Sequence, residues 1–94
     1  MLAKSLPNWL MSRYSALWKK YKNGKFRFEE AMQTLGESNP KTLSAVLSEL
    51  KKHGWLKVEL DPESSRRRLY QLKPPQVAIE EIALEYIKVK GAKD

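Results

Sequence analysis

The spacing of apolar residues changes at Gly54. Before it, Leu43, Val46, Leu47 and Leu50 recur at steps of three, one and three, which marks one buried face of a helix. After it, Leu56, Val58 and Leu60 alternate with Lys57 and Glu59, which marks a strand covered on one side. Glycine takes positive φ at little cost, so Gly54 can stop the helix where the strand begins. A helix that feeds directly into a strand confines the chain to a fold that mixes α and β elements.

The flanking segments extend the pattern. Leu10, Tyr14, Leu17, Trp18 and Tyr21 predict a helix from about Pro7 or Asn8 to Lys22, ended by the turn-prone pair Asn23-Gly24. Its other face carries Arg13, Lys19 and Lys20. Lys25-Phe26-Arg27 reads as an extended stretch able to pair at a sheet edge. Phe28, Ala31, Met32 and Leu35 predict a short second helix with Gly36 as its cap. After Gly36-Glu37-Ser38-Asn39 comes a third helix, Pro40 to His53, with Asn39 as N-cap and Pro40 in the first helical position. Lys51, Lys52 and His53 suit its negative end.

Downstream, Asp61-Pro62-Glu63-Ser64-Ser65 predicts a long polar hairpin tip, and Tyr70 and Leu72 alternate with Leu69 and Gln71 on the return strand. Pro74-Pro75 ends the hairpin. Residues 76–90 predict a C-terminal helix with Ile79, Ile82, Ala83 and Tyr86 on one face. Val77 and Leu84 lie roughly opposite, an apolar side that is a candidate surface for a homodimer.

Residues 1–94 fit a single domain with a modest core. The net charge of +7 would attract phosphates or anionic lipid. It is unevenly placed: ten basic and four acidic residues among 1–54, five and three among 55–75, three and four among 76–94. The absence of cysteine excludes disulfides and thiolate metal sites and suits a reducing compartment. MLAKSLPNWLM is broken by Pro7 and Asn8 where a signal peptide needs an unbroken apolar run, and no stretch approaches a membrane span. A cytoplasmic protein is expected, and many Lys and Glu with one His lean toward a thermophile source.

In its order of elements the chain resembles the winged helix-turn-helix domains of bacterial and archaeal transcription regulators. The resemblance covers Leu6 to Tyr86 and is carried by FEEAMQTLGESNPKTLSAVLSELKKHGWLKVELDPESSRRRLYQL, with its helix, turn, recognition helix, Gly and apolar pair, then a charged wing returning as Arg-x-Tyr-x-Leu. The opening LPNWLMSRYSALWKKY has a fainter similarity to N-terminal winged-helix segments attached to archaeal nucleotidyltransferase-like proteins; no catalytic carboxylate motif follows it. The resemblance implies an α+β winged helix-turn-helix with a three-helix core, a two-stranded wing hairpin and a C-terminal helix. It implies binding of double-stranded DNA in transcription regulation, with helix 40–53 in the major groove and wing 61–68 on the backbone or in the minor groove.

The residues support that expectation on their own. Two helices joined by a short turn containing Gly pack at a steep angle and leave the second able to enter a major groove. Opposite the buried stripe of the third helix lie Lys41, Ala45, Ser48 and Lys52, with Ser44 at the flank. Ser44, Ala45 and Ser48 are small enough to approach base edges, and Lys41 and Lys52 can reach phosphates. In the wing, strand alternation puts Arg66 and Arg68 on the face of Tyr70 and Leu72, with Arg67 on the other. Arg66 and Arg67 are expected on phosphates, and Arg68 or its neighbour in the minor groove. The competing use of the three arginines is pairing with Glu59, Asp61 and Glu63 across the hairpin, which would neutralise the wing.

Other chemistry finds little support. His53 has no second histidine or cysteine to share a metal with and reads as a charged helix cap. Trp9, Trp18 and Trp55 read as core or rim packing. The serines lack a base and an orienting acid at readable spacing, so no enzyme is expected, and neither a cofactor nor a small-molecule ligand. The alternative function is a protein docking module of a larger assembly, because a winged helix alone does not fix what it binds. RNA binding lacks an exposed aromatic sheet motif.

Overall fold

A computed structural model describes residues 2–91, in the order α1 (Asn8–Tyr21), α2 (Phe28–Leu35), α3 (Pro40–Lys52), β1 (Leu56–Asp61), β2 (Ser64–Leu72) and α4 (Pro75–Gly91). Local chemistry sets the ends of the helices. Pro7 caps α1 in an extended conformation, and the chain leaves α1 through Lys22 at φ 51, whose N–H returns to the Trp18 carbonyl. The Glu30 carboxylate accepts the Arg27 amide at 2.8 Å at the start of α2, and Gly36, at φ 63, closes its end. Asn39 Oδ1 accepts the Lys41 amide at 2.9 Å, with Pro40 in the first turn of α3, as the sequence predicts.

The core is one cluster. Leu10, Tyr14 and Leu17 of α1 meet Leu43, Val46, Leu47 and Leu50 of α3, with Trp55, Leu56, Tyr70 and Leu72 of the hairpin closing it. The predicted extended stretch contributes a single bridge: Phe26 and Tyr70 exchange backbone hydrogen bonds of 2.9 and 2.8 Å. Their rings stack at 5.8 Å, and Phe26 stacks on Tyr21 at 4.7 Å, so an aromatic ladder joins α1 to the hairpin. Of the tryptophans, Trp55 is buried, Trp18 half-buried, and Trp9 exposed beneath the Arg13 guanidinium.

The hairpin departs from its expected tip. Asp61 pairs with Ser64, so Pro62-Glu63 is a two-residue turn and not a long polar loop. The next residue of β1, Leu60, pairs with Arg68, so Ser65, Arg66 and Arg67 stand outside the ladder as a bulge in β2. Below the bulge the register is regular, with Val58 opposite Tyr70 and Leu56 opposite Leu72. The extra residues therefore lie on the returning strand, where the arginines are.

The expected face of α4 is also corrected. Ala78 is fully buried and Ile82 packs against the core, but Ile79, Ala83 and Tyr86 are exposed, as are Val77 and Leu84. The apolar residues of α4 run round the whole helix, so spacing alone selects no face. A non-local anchor selects it. Residues before α1 lie along the end of α3: Lys4 N–H donates to the His53 carbonyl at 2.8 Å and Trp55 Nε1 to the Lys4 carbonyl at 2.6 Å. Glu81 of α4 accepts the Ala3 amide at 2.8 Å and Lys73 Nζ at 2.6 Å. Gly54 makes this approach possible, because a Cβ there would lie 2.7 Å from the Leu2 carbonyl oxygen. Beyond these contacts α4 projects from the body, and the molecule measures 50 × 28 × 21 Å.

Candidate nucleic-acid interface

Turning Leu43, Val46, Leu47 and Leu50 inward exposes the reverse side of α3. Lys41, Ser44, Ala45, Ser48 and Lys52 are all exposed. Lys41 and Lys52 stand at opposite ends of that face, about 16 Å apart along the axis at 1.5 Å per residue. His53 follows as the C-cap, and its Nδ1 lies 2.7 Å from the Glu49 carbonyl oxygen.

The wing and this helix border a shared cleft. A cleft of about 350 Å³ is lined by Ser44 from α3, by Arg27 and Phe28 from the start of α2, and by Arg66, Arg67 and Arg68 from the wing. Glu29 also borders it. Ser44 and the three arginines, set apart by the sequence, are thus brought together, whereas Lys41, Ala45, Ser48 and Lys52 share the α3 surface outside the cleft. Tyr70 forms part of the wall, and burial holds its hydroxyl above the ordinary tyrosine value while Arg68 pulls it the other way.

The competing use of the wing arginines, pairing with the hairpin acids, is not seen among the described residues. Among the described residues, none of Arg66, Arg67 and Arg68 forms an ion pair. Two of the hairpin acids, Glu59 and Asp61, are instead engaged by the stretch before α2. Lys25 pairs with Glu59 and, chiefly through that hydrogen bond, holds its carboxyl below the usual range. Arg27 donates to Asp61 Oδ2 at 2.9 Å, while Asp61 Oδ1 accepts the Glu63 amide at 2.9 Å. Asp61 is 5% exposed and both its oxygens are occupied.

Arg27 is the site residue that reading the sequence missed. Its signal is the alternation of an extended stretch: once Phe26 points into the core, its neighbours Lys25 and Arg27 point out toward the hairpin acids. A separate groove of about 600 Å³ lies between the end of α3, the base of the hairpin and Val77 of α4, with Lys51 and Lys57 on its walls; it shares no residue with the wing cleft. Among the described residues no group of three or more His, Cys, Asp or Glu could hold a metal ion.

No protein-family model matches the chain. Over 68 residues it is 37% identical to the methylase subunit of the type I restriction enzyme MjaVII of Methanocaldococcus jannaschii, a match covering 70% of this chain and 12% of that subunit. Its fold is similar to that of a MepR variant from S. aureus bound to an oligodeoxyribonucleotide, with a TM-score of 0.63, 15% identity, and coverage of 93% of this chain and 62% of that one. It is also similar to the PcaV transcriptional regulator of Streptomyces coelicolor in complex with its natural ligand, with a TM-score of 0.59, 19% identity, and coverage of 94% and 65%. The chain spans less than two thirds of each solved structure and a small part of the methylase subunit. At these identities the structural likeness is one of fold, and the fold is the α+β winged helix-turn-helix.

Proposed function

We propose that this winged helix binds double-stranded DNA, with α3 in the major groove and the wing along the backbone or in the minor groove, and that it acts in transcription regulation. The observation that carries this reading is the cleft where Ser44 meets Arg66, Arg67 and Arg68, three guanidinium groups left without a carboxylate partner among the described residues. Cations held on a surface without internal neutralisation are available to phosphates, and each contact releases condensed counterions. The assigned roles are base-edge approach for Ser44, Ala45 and Ser48, phosphate contact for Lys41, Lys52, Arg66 and Arg67, and minor-groove reach for Arg68. Support comes from the net charge of +7, from the oligodeoxyribonucleotide bound to the MepR variant, and from the role of PcaV as a transcriptional regulator.

Two copies joined through α4 are part of this proposal. Val77, Ile79, Leu84 and Ile87 are exposed on a helix that projects from the body, and a pair of winged helices would read two half-sites. A cytoplasmic setting is proposed with it; among the described residues no helix is long and apolar enough to cross a membrane. Neither a catalytic step nor a cofactor enters the proposal.

The test is titration of random-sequence duplex DNA at two salt concentrations. Binding that weakens with salt is expected, and replacing Arg66, Arg67 and Arg68 together by Ala should flatten the slope of log affinity against log salt by about two to three units, at roughly 0.9 per phosphate contact. Absence of binding at low ionic strength would overturn the reading. It would favour a module that docks within a larger assembly, which the 37% identity to a methylase subunit supports.

A further inference from the structure

Arg27 lines the same cleft as the wing arginines, so a simple reading would make it a fourth phosphate contact. Its hydrogen bond argues otherwise. Its guanidinium donates to Asp61, the one charged side chain that is buried among the described residues, across 34 residues of chain. Asp61 sits beside the bulge: its own partner is Ser64, and Arg66 and Arg67 belong to the three residues between that pairing and the next, Leu60 with Arg68. A buried carboxylate there demands a cation, and the cations that the returning strand carries next to this turn are the wing arginines themselves.

We propose that Arg27 is a positioning residue: by occupying Asp61 it keeps Arg66, Arg67 and Arg68 off the hairpin's buried carboxylate and available to DNA phosphates. This rests on the DNA-binding reading above. The geometry of the pair suits the task. Asp61 is held from one side by the Glu63 amide of the turn and from the other by Arg27, while Arg27 is fixed by its own amide on Glu30 and by the Phe26–Tyr70 bridge next to it. The wing is thereby tied to the first turn of α2 at its buried root, and its cationic part is left to the cleft.

Three proteins test this: Arg27→Gln, Asp61→Asn and the double variant, each titrated with random-sequence duplex DNA across a salt series, with thermal unfolding recorded beside it. Arg27→Gln leaves the carboxylate to recruit a wing arginine, so the slope should flatten by about one phosphate contact, roughly 0.9. The double variant has no carboxylate to recruit one, so it should recover the wild-type slope whatever its melting temperature. A flattened slope in the double variant would show that Arg27 touches phosphate itself and would overturn the proposal, as would a wild-type slope in Arg27→Gln. Should Arg27→Gln not fold, Arg27→Met takes its place, with the same flattening expected and a wild-type slope again overturning the proposal. Wild-type protein that binds no DNA would sink the functional reading, a result distinct from wild-type binding with unmoved variants.

Discussion

The Glu81 carboxylate accepts the Ala3 amide at 2.8 Å across 78 residues of chain, so the beginning of the described chain and the last helix meet at one oxygen atom. The same oxygen accepts Lys73 Nζ at 2.6 Å. The Lys73 bond, and after it the Ala3 amide, hold the Glu81 carboxyl below its ordinary value. A carboxyl whose folded value is depressed contributes stability above its unfolded value and loses it as pH falls through the folded one. Amide hydrogen exchange in α4 should therefore accelerate in acid, below the usual glutamate range, and Glu81→Gln should remove that pH dependence. Exchange with the same acid profile in the variant would contradict the anchor.

The two capping glycines should respond differently to alanine. At Gly36, at φ 63, no described residue beyond its chain neighbours lies within 4 Å of where a Cβ would stand, so Gly36→Ala should cost only the left-handed strain, about 1 kcal/mol. Gly54, at φ 82, would set its Cβ 2.7 Å from the Leu2 carbonyl oxygen, so strain and overlap add and Gly54→Ala should cost about 2–4 kcal/mol. Chemical denaturation of the two variants measures the difference.

Asn39 accepts the Lys41 amide at the start of α3, and Asn39→Ala should lower stability by about 1 kcal/mol. Asn39→Asp keeps the acceptor and adds a charge favoured at a helix N-terminus, so it should hold or raise the melting temperature.

Tyr14 donates its hydroxyl to the Lys73 carbonyl, and burial pushes its pKa up to about 12. For an acid raised above its unfolded value, the folded state is favoured below that value and loses the advantage as pH climbs toward the folded one. Alkaline unfolding should thus set in between the ordinary tyrosine value of 10.0 and about 12. Tyr14→Phe should remove that component at a cost near neutrality of about 1 kcal/mol for the lost hydrogen bond. Ultraviolet absorbance of tyrosinate during the titration follows it.

The proposed pairing of two copies is checked by sedimentation. Wild-type protein should show mass rising with concentration, whereas Leu84→Glu with Ile87→Glu should sediment as a folded monomer whose melting temperature no longer depends on concentration, because both side chains are exposed in the single chain. Monomeric wild-type protein at micromolar concentration would remove α4 as the joint.

What could be read in the sequence was governed by local periodicity. Leu43, Val46, Leu47 and Leu50 fix the phase of α3, and that phase determines which side chains it exposes, so its outer face was legible before any coordinates. The hairpin tip was not. A polar run of five residues is compatible with a wide loop or with a tight turn and a bulge, and the choice is made by the pairing of Tyr70 and Leu72 with β1 and with Phe26. The phase of α4 is set by Ala3 and Lys73 acting on Glu81, contacts that no pattern within α4 encodes. Asp61 takes Arg27 in preference to an arginine on its own hairpin for the same kind of reason: the partner arrives from a distant part of the chain.

The bulge on the returning strand has an evolutionary consequence. In an unbroken hairpin, gaining or losing one residue would reverse the facing of every side chain that follows, sending Tyr70 and Leu72 into water. Here three residues already leave the ladder between the partners of Leu60 and Asp61, so a codon added or deleted there changes the amount of cationic chain on display and leaves the inward pair where it is. The length of cationic chain that the wing displays can thus change by indel as well as by point substitution without disturbing the packed interior.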